Sequence, residues 1–169
     1  MKSSSQPLLI TILLLLVANL AATVLVYQKI AINDLSSTAN GEPVNPLPEE
    51  INKVVIEEIF SSFRDKYNSG DLVEFASLFS EFARSQMKDE DLEKNYAMLR
   101  DYFGDVDSGT YSHYVYNGSQ GNLSGYTLHF ILDLGDDSKF GSEGTGKIGI
   151  TWDGTDYGII SSHIFAGGE

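Results

Sequence analysis

Three histidines carry the most versatile side-chain chemistry in this 169-residue chain. His113, His129 and His163 each fall within a different predicted β-strand. Imidazoles that converge in a pocket can act as acid–base groups or as metal ligands. Here, neither a His-x-His pair nor an H-E-x-x-H motif occurs, and His129 falls on the strand face opposite the apolar one. We therefore expect His129 to face solvent or a partner, and we predict no catalytic residue and no metal site.

Two further segments have residue types that bind ions in other proteins. Asp133, Asp136 and Asp137 surround a predicted turn, but the twelve-residue spacing of a calcium-binding loop is missing. Three glycines between residues 141 and 146 lack the Lys-Ser/Thr pair and the helix that follow a phosphate-binding loop. We interpret the first segment as a hydrated turn and the second as a strand bend or hairpin, and we predict no cofactor.

Composition narrows the range of partners. The chain has no cysteine, which excludes disulfides, thiol chemistry and thiolate zinc sites. From residue 33 onward, 9 Lys or Arg stand against 24 Asp or Glu. Such an acidic surface repels phosphate backbones and anionic lipid headgroups, so we expect no nucleic-acid partner.

Residues 8–27 form an uncharged, apolar run. As a helix they would span about 30 Å, the thickness of the hydrocarbon core of a bilayer. Thirteen of them are Leu, Ile or Val, which favours insertion by about 4–8 kcal/mol. We predict an uncleaved transmembrane anchor. A cleaved signal peptide is the alternative, although the run is long for one and no Ala-x-Ala site follows it.

The regions around this run predict the topology. Residues 1–7 are a short tail, and placing them in the cytoplasm puts everything after the anchor outside it, in a periplasmic or extracellular space. Residues 28–48 are predicted to be a linker, because three of the four prolines and no apolar period occur in 33–48. Residues 49–169 are numerous enough to bury a core of their own.

Apolar periodicity divides this last region into helices and strands. Apolar residues recur at helical spacing over about 49–67, 71–82 and 89–103, with Gly104 as the final stop. The period then becomes two, which predicts strands over about 110–117, 126–134, 146–152 and 157–165. The predicted fold class is α+β: an N-terminal transmembrane helix, then three helices packed on a curved four-stranded antiparallel sheet.

Three segments resemble the nuclear transport factor 2-like superfamily, the cone-shaped α+β fold shared by ketosteroid isomerase and polyketide cyclases. They are IFSSFRDKYNSGDLVEFASLFS (59–80), LRDYFGDVDSG (99–109) and WDGTDYGIISSHIF (152–165). The resemblance covers about residues 49–165. It implies a conical pocket between sheet and helices and dimerisation through the sheet face. It implies no single activity, and the Asp or His–Asp patterns of the catalytic members have no match here.

The resemblance also indicates which side chains would line such a cone. We expect a ligand pocket formed by aromatic residues and one histidine: Tyr67, Tyr96, Tyr114, Phe130, Trp152 and His163. In this fold class such residues serve the core first and a pocket second.

Two functions follow from these observations. The first is a non-enzymatic, single-pass membrane-anchored binding or assembly domain, which holds a protein partner or a small apolar ligand outside the cytoplasm. The alternative is an enzyme of the isomerase, dehydratase or cyclase type. That alternative requires a tyrosine together with a buried, hydrogen-bonded His113 or His163 facing a cavity.

Overall fold

The computed structural model describes residues 45–166. The predicted tail (1–7), the predicted anchor (8–27) and most of the predicted linker (28–48) lie outside these residues. Within the described part, no helix is long and apolar enough to cross a membrane.

Within residues 45–166, four helices precede the sheet: α1 (Lys53–Asn68), α2 (Leu72–Ala76), α3 (Glu81–Gln86) and α4 (Asp89–Phe103). Helix α1 begins at Lys53, later than the start near residue 49 that the apolar periodicity predicted. Residues 48–51 form a turn closed by the Ile51 amide donating to the Pro48 carbonyl at 2.9 Å. Asn52 then caps α1, because its Oδ1 accepts from the amides of Val54 and Val55 at 3.0 and 3.3 Å.

The prediction of three helices was wrong in number, because the second predicted helix is divided into α2 and α3. The Ser77 hydroxyl donates to the Glu74 carbonyl at the end of α2. Ser80 then starts α3, and its amide donates to the Ile159 carbonyl in the sheet at 2.9 Å. This tertiary hydrogen bond competes with continuation of the helix, and apolar periodicity carries no information about it.

The predicted four-stranded antiparallel sheet is confirmed. Its strands are β1 (Val106–Gln120), β2 (Leu123–Leu134), β3 (Glu143–Trp152) and β4 (Tyr157–Ala166), paired in sequence order. β1 and β4 are consequently the two edge strands. The α+β class is confirmed as well.

β1 is interrupted at regular intervals. Its register against β2 shifts three times, and each shift leaves one residue of β1 without an opposite residue: Asp107, Ser112 and Asn117. Each extra residue is a β-bulge, which raises the local twist and moves the next side chain to the other face. As a result, Tyr111 and Tyr114 lie on the same face although three positions separate them.

The two faces of the sheet differ in composition. The helix-side face of β2 carries buried side chains from Tyr126 to Leu134, which form the core together with α1 and α4. The other face, called the outer face below, carries His113, His129, Lys147 and His163 side by side across all four strands.

Candidate functional site

A row of aromatic rings fills the space between sheet and helices. The Phe60 ring stacks on Phe130 of β2, with centroids 5.0 Å apart. The Tyr67 ring stacks on Phe63 at 5.6 Å and meets Phe75 and Tyr96 edge-on at 6.1 Å each. Tyr67 is 0% exposed. These rings therefore act as core side chains along most of the helix–sheet interface.

A cleft of about 780 Å³ lies at one end of this interface, between α1 and the edge strand β1. The helix contributes residues that recur every three or four positions, and β1 contributes four consecutive residues, Ser108–Tyr111. The helix residues are Lys53, Ile56, Glu57, Phe60, Ser61 and Arg64. Leu47 and Phe130 complete the lining. A volume of this size is typical of small-molecule sites.

The floor of the cleft is aromatic. It consists of Phe60 and Phe130, and Tyr111 meets the Phe130 ring edge-on at 5.9 Å. Gly109 allows this arrangement, because a Cβ atom at that position would overlap the Phe60 ring. Burial raises the pKa of the Tyr111 hydroxyl, so the phenol is neutral across the physiological pH range.

The rim of the cleft carries charged side chains. On α1, Lys53 Nζ lies 3.6 Å from a Glu57 oxygen, and Arg64 Nη2 lies 2.8 Å from an Asp65 oxygen. Both are solvent-exposed ion pairs, which hold their partners weakly. On β1, the Ser108 hydroxyl donates to the Asp133 carboxylate. Arg64 is thus a guanidinium at the mouth of the cleft that can also bind a ligand.

The predicted pocket residues are not gathered in this cleft. Phe130 alone among them lines it. Tyr67 and Tyr96 lie in the helix-side core, where the Tyr96 hydroxyl donates to the Tyr67 carbonyl at 2.9 Å. Burial raises the pKa of both phenols.

The other three predicted pocket residues lie on the sheet. Tyr114 is half-buried and meets Tyr126 edge-on at 6.1 Å. Trp152 is half-buried at the end of β3, opposite Tyr157. His163 lies on the outer face and is partly exposed there. The six residues are therefore divided among the core, the cleft, the sheet margins and the outer face.

The three histidines lie on the outer face, away from the cleft. The rings of His113 and His129 stack with centroids 4.2 Å apart, and Lys147 separates His129 from His163 in the row. The expectation that His129 faces solvent does not hold, since it is 7% exposed. Partial burial, followed by the charge of Lys147, lowers the pKa of His163.

The acidic turn has a structural use. The Asp137 carboxylate accepts from the Asp105 amide at 3.3 Å, and the Gly135 amide donates to the Asp105 carbonyl at 2.9 Å. Arg100 Nη1 donates to Asp105 Oδ1 at 2.6 Å and to the Gly104 carbonyl at 2.9 Å. These contacts fix the junction between α4 and β1. Over residues 45–166, no three or more His, Asp or Glu side chains are arranged to hold a metal ion.

Sequence reasoning missed the cleft residues other than Phe130. One signal was available in α1, where Ile56, Phe60 and Arg64 follow each other at intervals of four and so share one helix face. That face changes from apolar to cationic toward its C-terminal end. No pattern in the sequence shows that Ser108–Tyr111 lie opposite this face.

Comparisons of the chain with models of protein families, with curated proteins and with solved structures found no match.

Proposed function

We propose that the protein is a single-pass membrane-anchored binding domain outside the cytoplasm, and that the α1–β1 cleft holds its ligand or partner. The cleft is the observation that carries this proposal. It combines an aromatic floor, which supplies apolar contact area, with a rim of charged and hydroxyl side chains that can orient a bound molecule. The apolar run at residues 8–27 supports the anchoring.

Membership of the nuclear transport factor 2-like superfamily is part of the proposal. The order of elements in the described part of the chain, four helices followed by a four-stranded antiparallel sheet, supports it. Dimerisation through the sheet face is proposed on the same basis. The alternative of an isomerase-type enzyme gains no support from the histidines, because His113 and His163 lie on the outer face and not in the cleft.

A pair of tryptophan substitutions on α1 tests the cleft. Ser61 lines the cleft, so S61W should fill part of it. Val54 lies on the same helix, is 61% exposed and does not line the cleft, so V54W is the matched control. Full-length protein and both variants are purified from membranes in mild detergent, and mass spectrometry quantifies the proteins and small molecules that accompany them.

We expect one co-purifying species to fall at least tenfold with S61W and to persist with V54W. Thermal melting of the three proteins separates loss of binding from loss of folding. If every co-purifying species is unaffected by S61W, the cleft is not the binding site.

A further inference from the structure

The backbone of β1 is open where it borders the cleft. In an antiparallel ladder, every second residue of an edge strand directs its N–H and C=O groups away from its neighbour. Among residues 45–166, the outward-directed N–H and C=O groups of Ser108–Tyr111 form no hydrogen bond with any other element. The cleft therefore presents backbone donors and acceptors as well as an aromatic floor.

Two other outward-facing backbone positions at the sheet edges are closed, one by a side chain and one by a loop. At the start of β1, the Asn68 amide group donates to the Val106 carbonyl and accepts from the Val106 amide, both at 2.9 Å. On β4, the Ile159 carbonyl accepts from the Ser80 amide. The open stretch beside the cleft thus contrasts with closed positions immediately before it and on the opposite edge.

The bulges limit what can pair with this stretch. Asp107 and Ser112 flank it, so only four residues, 108–111, keep an uninterrupted register. A second copy of the sheet would require a long, regular edge, and bulges prevent such edge-to-edge pairing. A short extended peptide needs only a few ladder positions and can place one side chain in the cleft.

The charge of the cleft indicates the chemistry of this peptide. Two cationic side chains, Lys53 and Arg64, line the cleft, and they form exposed, weak ion pairs with Glu57 and Asp65. The chain as a whole has a net charge of −13. The cleft therefore offers two weakly paired cationic groups on an acidic protein, and a partner with an acidic side chain next to an apolar one can replace their present carboxylate partners.

We propose that the cleft binds an extended peptide segment of a partner protein, which adds a short fifth strand to β1. The partner strand places an apolar side chain over Phe60 and Phe130 and an acidic side chain near Arg64. This inference rests on the proposed function, because it names the class of ligand that the same cleft holds.

The test uses a random heptapeptide library displayed on phage and selected on the full-length protein in detergent micelles. Selected peptides are synthesised, and their affinity is measured by fluorescence anisotropy. Each backbone amide of the best peptide is then N-methylated in turn, which removes one donor at a time. We expect methylation to weaken binding at least tenfold at alternate positions and less than twofold at the positions between them.

Three variants locate the peptide and test its charge. S61W should weaken binding at least tenfold, whereas V54W should leave it unchanged. R64E should weaken peptides that contain an acidic residue at least fivefold. K88E is its control, because Lys88 is exposed and does not line the cleft.

Three results would overturn the inference: no selected peptide, a methylation profile without a period of two, or a dimer in solution that S61W dissociates. If S61W still removes a co-purified small molecule, the peptide inference fails while the proposed function stands. If peptides bind with the period of two but regardless of S61W, the cleft assignment fails, and with it both proposals.

Discussion

The outward-facing backbone groups of the two edge strands are protected in different ways. β4 is closed by a loop, since the Ser80 amide donates to the Ile159 carbonyl and Ser80 Cβ lies 3.0 Å from where a Cβ on Gly158 would be. β1 is closed at its first residue by the Asn68 side chain and is otherwise protected by bulges. The helical layer thus covers β4 directly and leaves a cleft beside β1.

This difference shows how one sheet can combine protection with binding. Exposed edges tend to pair with other chains, and natural proteins cover, shorten or bulge them. The loop at Ser80 removes the Ile159 position of β4 from pairing with another chain. Bulges at intervals of five residues leave short regular stretches between them, and one such stretch borders the cleft.

The largest effect is expected at the closed start of β1. N68A removes both hydrogen bonds to Val106, a residue that is fully buried, and leaves its N–H and C=O unsatisfied. We expect the free energy of unfolding to fall by about 2–3 kcal/mol. Urea denaturation followed by the fluorescence of the single tryptophan, Trp152, measures it.

N52A is the matched control, because Asn52 forms two hydrogen bonds of its own at the solvent-exposed start of α1. Loss of this helix cap should lower the free energy of unfolding by about 1 kcal/mol. Equal decreases in the free energy of unfolding would mean that the Asn68 hydrogen bonds stabilise the protein no more than the helix cap at Asn52 does.

A smaller effect is expected on the closed edge of β4. S80A removes the side-chain cap of α3 but keeps the backbone amide, and it should cost about 1 kcal/mol. S80P also removes the amide that donates to Ile159, while the Ser80 φ of −56° suits proline. We expect S80P to cost about 1 kcal/mol more than S80A.

The same urea titration measures the difference between S80P and S80A, and hydrogen exchange of the β4 amides reports whether the edge has opened. If the two variants are equally stable, the hydrogen bond between Ser80 and Ile159 contributes nothing to closing β4.

The smallest effect concerns the charge environment of β4. His163 has a lowered pKa, so between that value and about 6.5 the unfolded chain binds more protons than the folded one. The contribution of His163 to the free energy of unfolding is therefore highest above about pH 6.5, and it decreases as the pH falls below that value. K147M removes the neighbouring charge and should raise the pKa of His163, yet not fully, because burial is the larger cause.

Proton NMR titration of the His163 ring measures this shift. K139M is the control, since Lys139 pairs with Asp101 and lies near Tyr102, outside the outer face. A lowered His163 pKa that is identical in the two variants would remove Lys147 from the explanation.

Local signals in the sequence account for the elements that were predicted well. Helix α4 was predicted over 89–103 and is found there, because acidic residues open it and Gly104, at a positive φ, ends it. The Asp153-Gly154 pair, which lies between the strands predicted over 146–152 and 157–165, is typical of a tight turn, and Asp153 Oδ1 accepts from the amides of Thr155 and Asp156. Backbone hydrogen bonding to Asp153 also lowers the pKa of its carboxyl.

The errors arise where a distant contact decides the structure. The break between α2 and α3 depends on Ile159, and the spacing of Tyr111 and Tyr114 on one face depends on the bulge at Ser112. The cleft depends on the distance between α1 and β1, which the periodicity of neither element specifies. Aromatic residues in the sequence also cannot be sorted into core and pocket, which is why Tyr67 and Tyr96 were expected in a pocket.

The contact between Asn68 and Val106 has a consequence for the order of folding. Antiparallel strands that follow each other in sequence pair through short loops, so the sheet can form early from local contacts. The Asn68 side chain, by contrast, reaches across 38 residues to the first residue of that sheet. Closing this long loop costs entropy before the contact repays it. Docking of the helices is therefore expected to be the late step, and N68A to accelerate unfolding more than it slows folding.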